Sequence, residues 1–170
     1  MKPLSRLMLI VLFLSTTASV HSQSNFQPYN TQGDNLIHVT TADFDGVGTS
    51  DYVVGMSVEG KVITFQRPDL ITDPSADNRI WEYQTPTSFN LMIIAGDAIS
   101  SSPGEEILVP GTDGHLRILS ASGVLLHDWT VGTGALYSAD VGVNSAGQIR
   151  IVTGGVDGNV YILNESGAQV

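Results

Sequence analysis

The chain contains no cysteine. That excludes a disulfide framework, a thiolate nucleophile and a Cys-type zinc site. An exported domain of this size does not need disulfides where its core is adequate. Positive charge is scarce, with seven Lys and Arg against 17 Asp and Glu and a net charge of −10. Such a chain repels nucleic acid and anionic lipid surfaces. Long apolar runs are missing too. The run 7–14 holds eight apolar residues, and a bilayer span takes about 20. No segment sustains a helical period. G-x-S-x-G, H-E-x-x-H and phosphate-loop motifs are absent.

What the first residues do carry is a targeting pattern. Lys2 and Arg6 precede the apolar run, and Val20 and Ser22 stand where a signal peptidase reads small residues. Residues 1–22 read as a cleaved secretory signal, the alternative being an N-terminal anchor. The expected location is secreted, cell-surface or periplasmic. Without Lys2 and Arg6, five basic residues face 17 acidic ones, a net charge of −12. In an exported protein this charge either serves solubility or supplies carboxylates to a cation. Residues 23–34, polar and holding Pro28 and Gly33, read as a linker.

From residue 35 the sequence repeats itself. A shift of 54 lays residues 97–119 over 43–65 without a gap. Asp43 meets Asp97, Asp51 meets Glu105, Gly60 meets Gly114, and Val62 and Phe65 meet Leu116 and Leu119. A third copy is read from Asp140 through Asp157 and Gly158 to Leu163, with one extra residue near Gly147. Within the period lie short β-type segments at 36–40, 52–54, 61–65 and 80–83. They recur at 91–94, 106–109, 115–119 and 125–129, and again at 136–140, 149–152 and 159–163. Residues 68–78, rich in Asp and Pro, read as an exposed loop. A strand-rich repeat of this length predicts blades or a solenoid, in which no unit buries its apolar faces alone.

The pairs Glu59-Gly60, Asp113-Gly114 and Asp157-Gly158 recur between the second and third segments and predict tight hairpin turns. Trp81 and Trp129 fall near the outer strand of their units. They read as packing anchors between neighbouring blades, the competing role being a ligand-stacking aromatic.

The residues Asp43-Phe44-Asp45-Gly46-Val47-Gly48-Thr49-Ser50-Asp51, followed by an apolar strand, resemble the FG-GAP, or VCBS-type, repeat of integrin α-like propellers and many exported bacterial surface proteins. Residues 156–167 are also similar to quinoprotein-like propeller repeats. The resemblance covers roughly 36–170 and implies an all-β fold of propeller blades, each of four antiparallel strands. Three units are expected, at about 35–86, 87–132 and 133–170, the last incomplete. Propellers close with about four to eight blades. The reading therefore expects part of a larger ring, with further blades in cis or in other copies, or an open array.

In the FG-GAP motif closely spaced carboxylates wrap calcium, a hard cation that takes six to eight oxygens. The matching residues are Asp43, Asp45, Thr49 through its carbonyl, and Asp51. Val47 stands where the motif has a further Asp. The loop therefore either binds calcium weakly or is closed by Asp side chains capping backbone N–H groups. The second copy interposes Ile99 and Ser101 and the third Gly142 and Asn144, so neither is assigned a metal.

No catalytic residue is assigned. His38, His115 and His127 lack mutual metal-ligand spacing. Glu105 and Glu106, adjacent on a strand, point to opposite faces. Asn164-Glu165-Ser166 is an N-glycosylation sequon, meaningful in a eukaryotic host. The expectation is an exported, non-catalytic module offering inter-blade loops to a protein or glycan, possessing no membrane span. The alternative is the propeller portion of a secreted enzyme, a polysaccharide lyase or quinone-dependent dehydrogenase.

Overall fold

The structure, a computed structural model, describes residues 30–49, 52–67, 70–73 and 75–170. The expected signal segment 1–22, residues 23–29 of the expected linker, and Asp51 lie outside the described residues.

Among the described residues, eleven strands form three antiparallel sheets. The first is β1 (Leu36–Ala42), β2 (Tyr52–Ser57), β3 (Lys61–Phe65) and β4 (Arg79–Gln84), paired in sequence order. The second is β5 (Ile94–Gly96), β6 (Glu106–Pro110), β7 (His115–Leu119) and β8 (Leu125–Thr130), in the same order. The third is β9 (Leu136–Val143), β10 (Ile149–Gly155) and β11 (Val160–Leu163). Strand β5 lies beside both β1 and β9. The inner strands thus follow one another around an axis and the sheets stack as blades, as the repeat and the resemblance imply. Beyond β11, Gln169 bridges Leu163. That pairing has the register of Leu119 with Leu125 in the second blade.

Each core lies between blades. Alternation along a strand sends successive side chains to opposite faces. Accordingly Ile107, Val109 and Leu119 of the second blade pack on Ala42, Val54, Met56 and Val62 of the first. Leu108, Leu116 and Ile118 face the other way, onto Ala139, Ile151 and Leu163 of the third. The middle strands β6 and β7 are buried nearly throughout because they have a neighbour on both sides. Fully burying such a side chain contributes about 1.5–3 kcal/mol.

The hairpin turns are as expected. Gly60, Gly114 and Gly158 all take positive φ, between 77° and 84°, where a Cβ would clash with its own backbone.

Two expectations need correction. The strand expected at 91–94 begins only at Ile94. Ahead of it Asn90 is buried and donates to the Thr85 hydroxyl at 2.7 Å, while its carbonyl oxygen accepts from Thr87 and Thr112. Side-chain bonds hold that crossing, so it needs no ladder. The third copy also starts in a different place. Asp140 pairs with Val152 inside β9, as Thr40 pairs with Val54 and Ile94 with Leu108. The position matching Asp43 and Asp97 is therefore Val143. The long loop of the first two blades has shrunk to a turn in which the Asn144 side chain accepts from the N–H groups of Ala146 and Gln148. The inner strand runs on through Asp140.

Candidate functional site: the loop end of the blades

Because the strands alternate in direction, the β1–β2, β5–β6 and β9–β10 connections emerge at one end of the stack. The β3–β4 and β7–β8 connections join them there, and the three glycine turns sit at the opposite end.

In the first loop, Asp43 directs its carboxylate at the loop's own backbone. Oδ1 accepts from Gly46 at 2.9 Å and Val47 at 3.2 Å, and Oδ2 from Gly48 at 2.7 Å. Burial draws its pKa upward, but the Gly48, Gly46 and Val47 N–H groups and a hydrogen bond with Asp45 outweigh it. The carboxyl titrates below its ordinary value because these donors favour the charged form. Asp45 accepts from Val47 at 3.3 Å and pairs with Arg67 at 3.3 Å. Thr49 is exposed. Among the described residues no three His, Asp or Glu side chains gather into a group able to hold a metal ion. With Asp51 outside them, the geometry on view is a carboxylate-capped turn.

Glu105, the counterpart of Asp51 in the second copy, reaches across to the first blade. Its Oε2 accepts from the Asp43 N–H at 2.8 Å, and its own N–H donates to the Asp43 carbonyl at 2.9 Å. Sequence reasoning missed this bridge, whose signal was the carboxylate kept at the Asp51 position while the loop around it lost its acids. Glu106 turns away from Glu105, as alternation requires. It is fully buried and accepts from the Ala98 and Ile99 N–H groups at 3.0 Å. Burial is the leading influence on its carboxyl and pushes the pKa up. Ser100 ties the second blade to the third through its N–H and hydroxyl, at 3.0 and 2.5 Å from Glu165. Asn164 of the sequon caps its own turn by accepting from Ser166 and Ala168.

These bridges frame two clefts. One, of about 360 Å³, lies between Asp43, Gly48, Ser102 and Glu105. The other, of about 810 Å³, is lined by Gln148, Arg150, Asn164 and Ser166. Asp97 and Ser100 border both. Four of the five described Lys and Arg residues are held by carboxylates: Lys61, Arg67, Arg79 and Arg117. Arg150 is the exception among them. Its guanidinium donates to the Ile149 carbonyl at 2.7 Å and to the Gln148 side chain at 2.9 Å, both neutral. The larger cleft thus offers amide, hydroxyl and carboxylate groups suited to a hydroxyl-rich ligand, with one cation for an anionic substituent.

The tryptophans are interblade anchors. The Trp81 indole N–H donates to the Ala121 carbonyl at 2.9 Å, and its ring lies against Gly123 of the next blade. Trp129 lies against Gly167 of the third blade in the same way. A Cβ on either glycine would stand 2.6 Å from the ring. Phe44 joins Trp81 and Tyr52 at centroid distances of 6.1 and 5.2 Å. His115 bonds Asp128 at 2.7 Å and His127 stacks on Trp129, so neither meets the other as a metal pair. Among the described residues no helix is long and apolar enough to cross a membrane.

A search of curated proteins finds no match. A family model described as the lambda-carrageenase beta-propeller domain matches residues 52–170. It supports the propeller expected from the resemblance and does not speak for its FG-GAP type. The matched span takes in β2 through β11 and more than two thirds of the chain, which therefore belongs to the lambda-carrageenase beta-propeller domain family.

Proposed function

We propose that this chain is the glycan-contacting propeller module of an exported polysaccharide-degrading enzyme, itself non-catalytic, and that its glycan is a sulfated galactan of the carrageenan class. The observation that carries the reading is the family match across residues 52–170. The larger cleft supports it. Gln148, Asn164 and Ser166 offer neutral hydrogen-bonding groups to sugar hydroxyls, and Arg150 is, among the described residues, the cation without a carboxylate partner and so the one open to a sulfate ester. Asp97 and Glu165 in the same cleft, and the acidic surface around it, oppose a polyanion, so binding is weak and selective for chains whose sulfates reach Arg150. The signal-like first residues fit export. The FG-GAP-type likeness is kept for the Asp43 loop alone.

Gel retardation tests the reading. Migration of the chain slows in gels containing lambda-carrageenan and stays normal in unsulfated agarose. Equal migration in both contradicts it.

A further inference from the structure

A third cleft opens at the loop end, at the seam of the first and second blades. It holds about 540 Å³, and Phe44, Tyr52, Gln66, Ile80, Trp81 and Ser122 line it. They come from the β1–β2, β3–β4 and β7–β8 connections and the strand ends beside them. The three aromatic side chains are half-buried. The Phe44 ring stands 5.2 Å from that of Tyr52 and 6.1 Å from that of Trp81, tilted 40° to each. The rings thus splay around the cleft instead of closing it. Trp81 is held in place by its bond to the Ala121 carbonyl. A volume of this size suits a small-molecule site.

The repeat does not require these aromatics. In the second blade the positions of Phe44 and Tyr52 hold Ala98 and Glu106, both buried. Trp129 lies on Gly167 there all the same, so that seam forms without the two added rings. What the first seam gains from Phe44 and Tyr52 is an aromatic wall open to solvent. None of the described residues lining it is charged, in a chain with a net charge of −10. The cleft therefore suits a neutral ligand with an apolar face and a polar edge. The rings meet the face, and Tyr52, Gln66 and Ser122 supply hydrogen-bonding groups to the edge.

We propose that this cleft is a second glycan subsite, which stacks one uncharged galactose ring. The inference rests on the glycan reading for its occupant and needs no sulfate. The axial O4 of galactose leaves the C3, C4 and C5 hydrogens on one apolar face, with hydroxyls around the rim. Position supports the same occupant. Asp43 borders the cleft of about 360 Å³, and Phe44, the next residue, borders this one. Gly104 closes the wall between them, so near the Phe44 carbonyl that a Cβ would collide with it. Asp97 and Ser100 lead on to the cleft that holds Arg150. One sugar chain laid along the loop end meets an aromatic subsite at the first seam and a cation at the second. A single stacked ring is too weak a contact to slow the chain in an agarose gel.

Titrating the isotope-labelled full chain with methyl β-galactoside, followed by NMR, tests the proposal. The two tryptophans give two indole N–H signals, assigned with Trp129→Phe. The expected result is a saturable shift of the Trp81 signal at millimolar galactoside while the Trp129 signal stays in place. Phe44→Leu and Tyr52→Leu keep apolar volume and lose the ring, and each weakens the binding by about 2–10-fold. Far-ultraviolet circular dichroism checks that both variants fold. A Trp81 signal that does not move overturns the proposal. So does an equal shift of both indoles, or an undiminished affinity in both folded leucine variants. The probe carries no sulfate, so the two readings fail separately. Lost gel retardation with this titration intact counts against the sulfated galactan alone.

Discussion

Asp43 shows how one carboxylate shapes a loop. It gathers three N–H groups of the chain that follows it, while its own N–H and carbonyl are held by Glu105 of the next blade. Its folded-state pKa is depressed. Its contribution to stability is therefore present above the ordinary carboxylate range and is lost as pH falls through the lower folded value. Asp43→Ala should lower the melting temperature at pH 7, with the deficit shrinking below about pH 4. Because the carboxylate already serves backbone donors, millimolar calcium should leave both melting temperatures unchanged. A clear calcium-dependent rise, lost in Asp45→Ala, would replace the capped turn with a metal site. The turn chemistry of this loop was legible in the order of its Asp and Gly residues. The bridging role of Glu105 was not, because its partner lies 62 residues away on another sheet.

Between elements, the recurring contact is a tryptophan of one outer strand laid on a glycine in the turn of the next blade. Trp81 meets Gly123, and Trp129 meets Gly167. Gly123 has a φ of 78°, so a substitution meets strain in the backbone and a collision with the ring. Gly123→Ala should cost about 2–4 kcal/mol, from a left-handed backbone and from overpacking. Gly142→Ala, with nothing within 4 Å of its added Cβ, should stay within about 0.5 kcal/mol. Chemical denaturation of both variants measures the difference, and equal costs would remove the interblade anchor from the account. The anchors were legible because the tryptophans recur with the repeat. Sequence alone starts the third copy at Asp140 because that Asp in β9 has the same letter as Asp43, which follows β1. Only pairing with Val152 shows that the strand continues past it.

At the scale of the whole molecule, the stack has a loop end with polar clefts and an opposite end of tight glycine turns. The blade architecture and strand order were legible from the repeat, since each period spaces short apolar runs with turn residues. The clefts were not, because they arise where loops of different blades meet through Ser100 and Glu165. The acidic composition pointed away from polyanions, and the isolation of Arg150 emerges only once the other four described cations are seen in their ion pairs. The central claim is that a sulfated galactan is held at the loop end. The most direct measurement is hydrogen–deuterium exchange of the chain with and without a lambda-carrageenan oligosaccharide. The account predicts added protection in residues 97–105, 144–150 and 164–167, and none at the turns containing Gly60, Gly114 and Gly158. Protection confined to those turns, or none anywhere at saturating oligosaccharide, would contradict it.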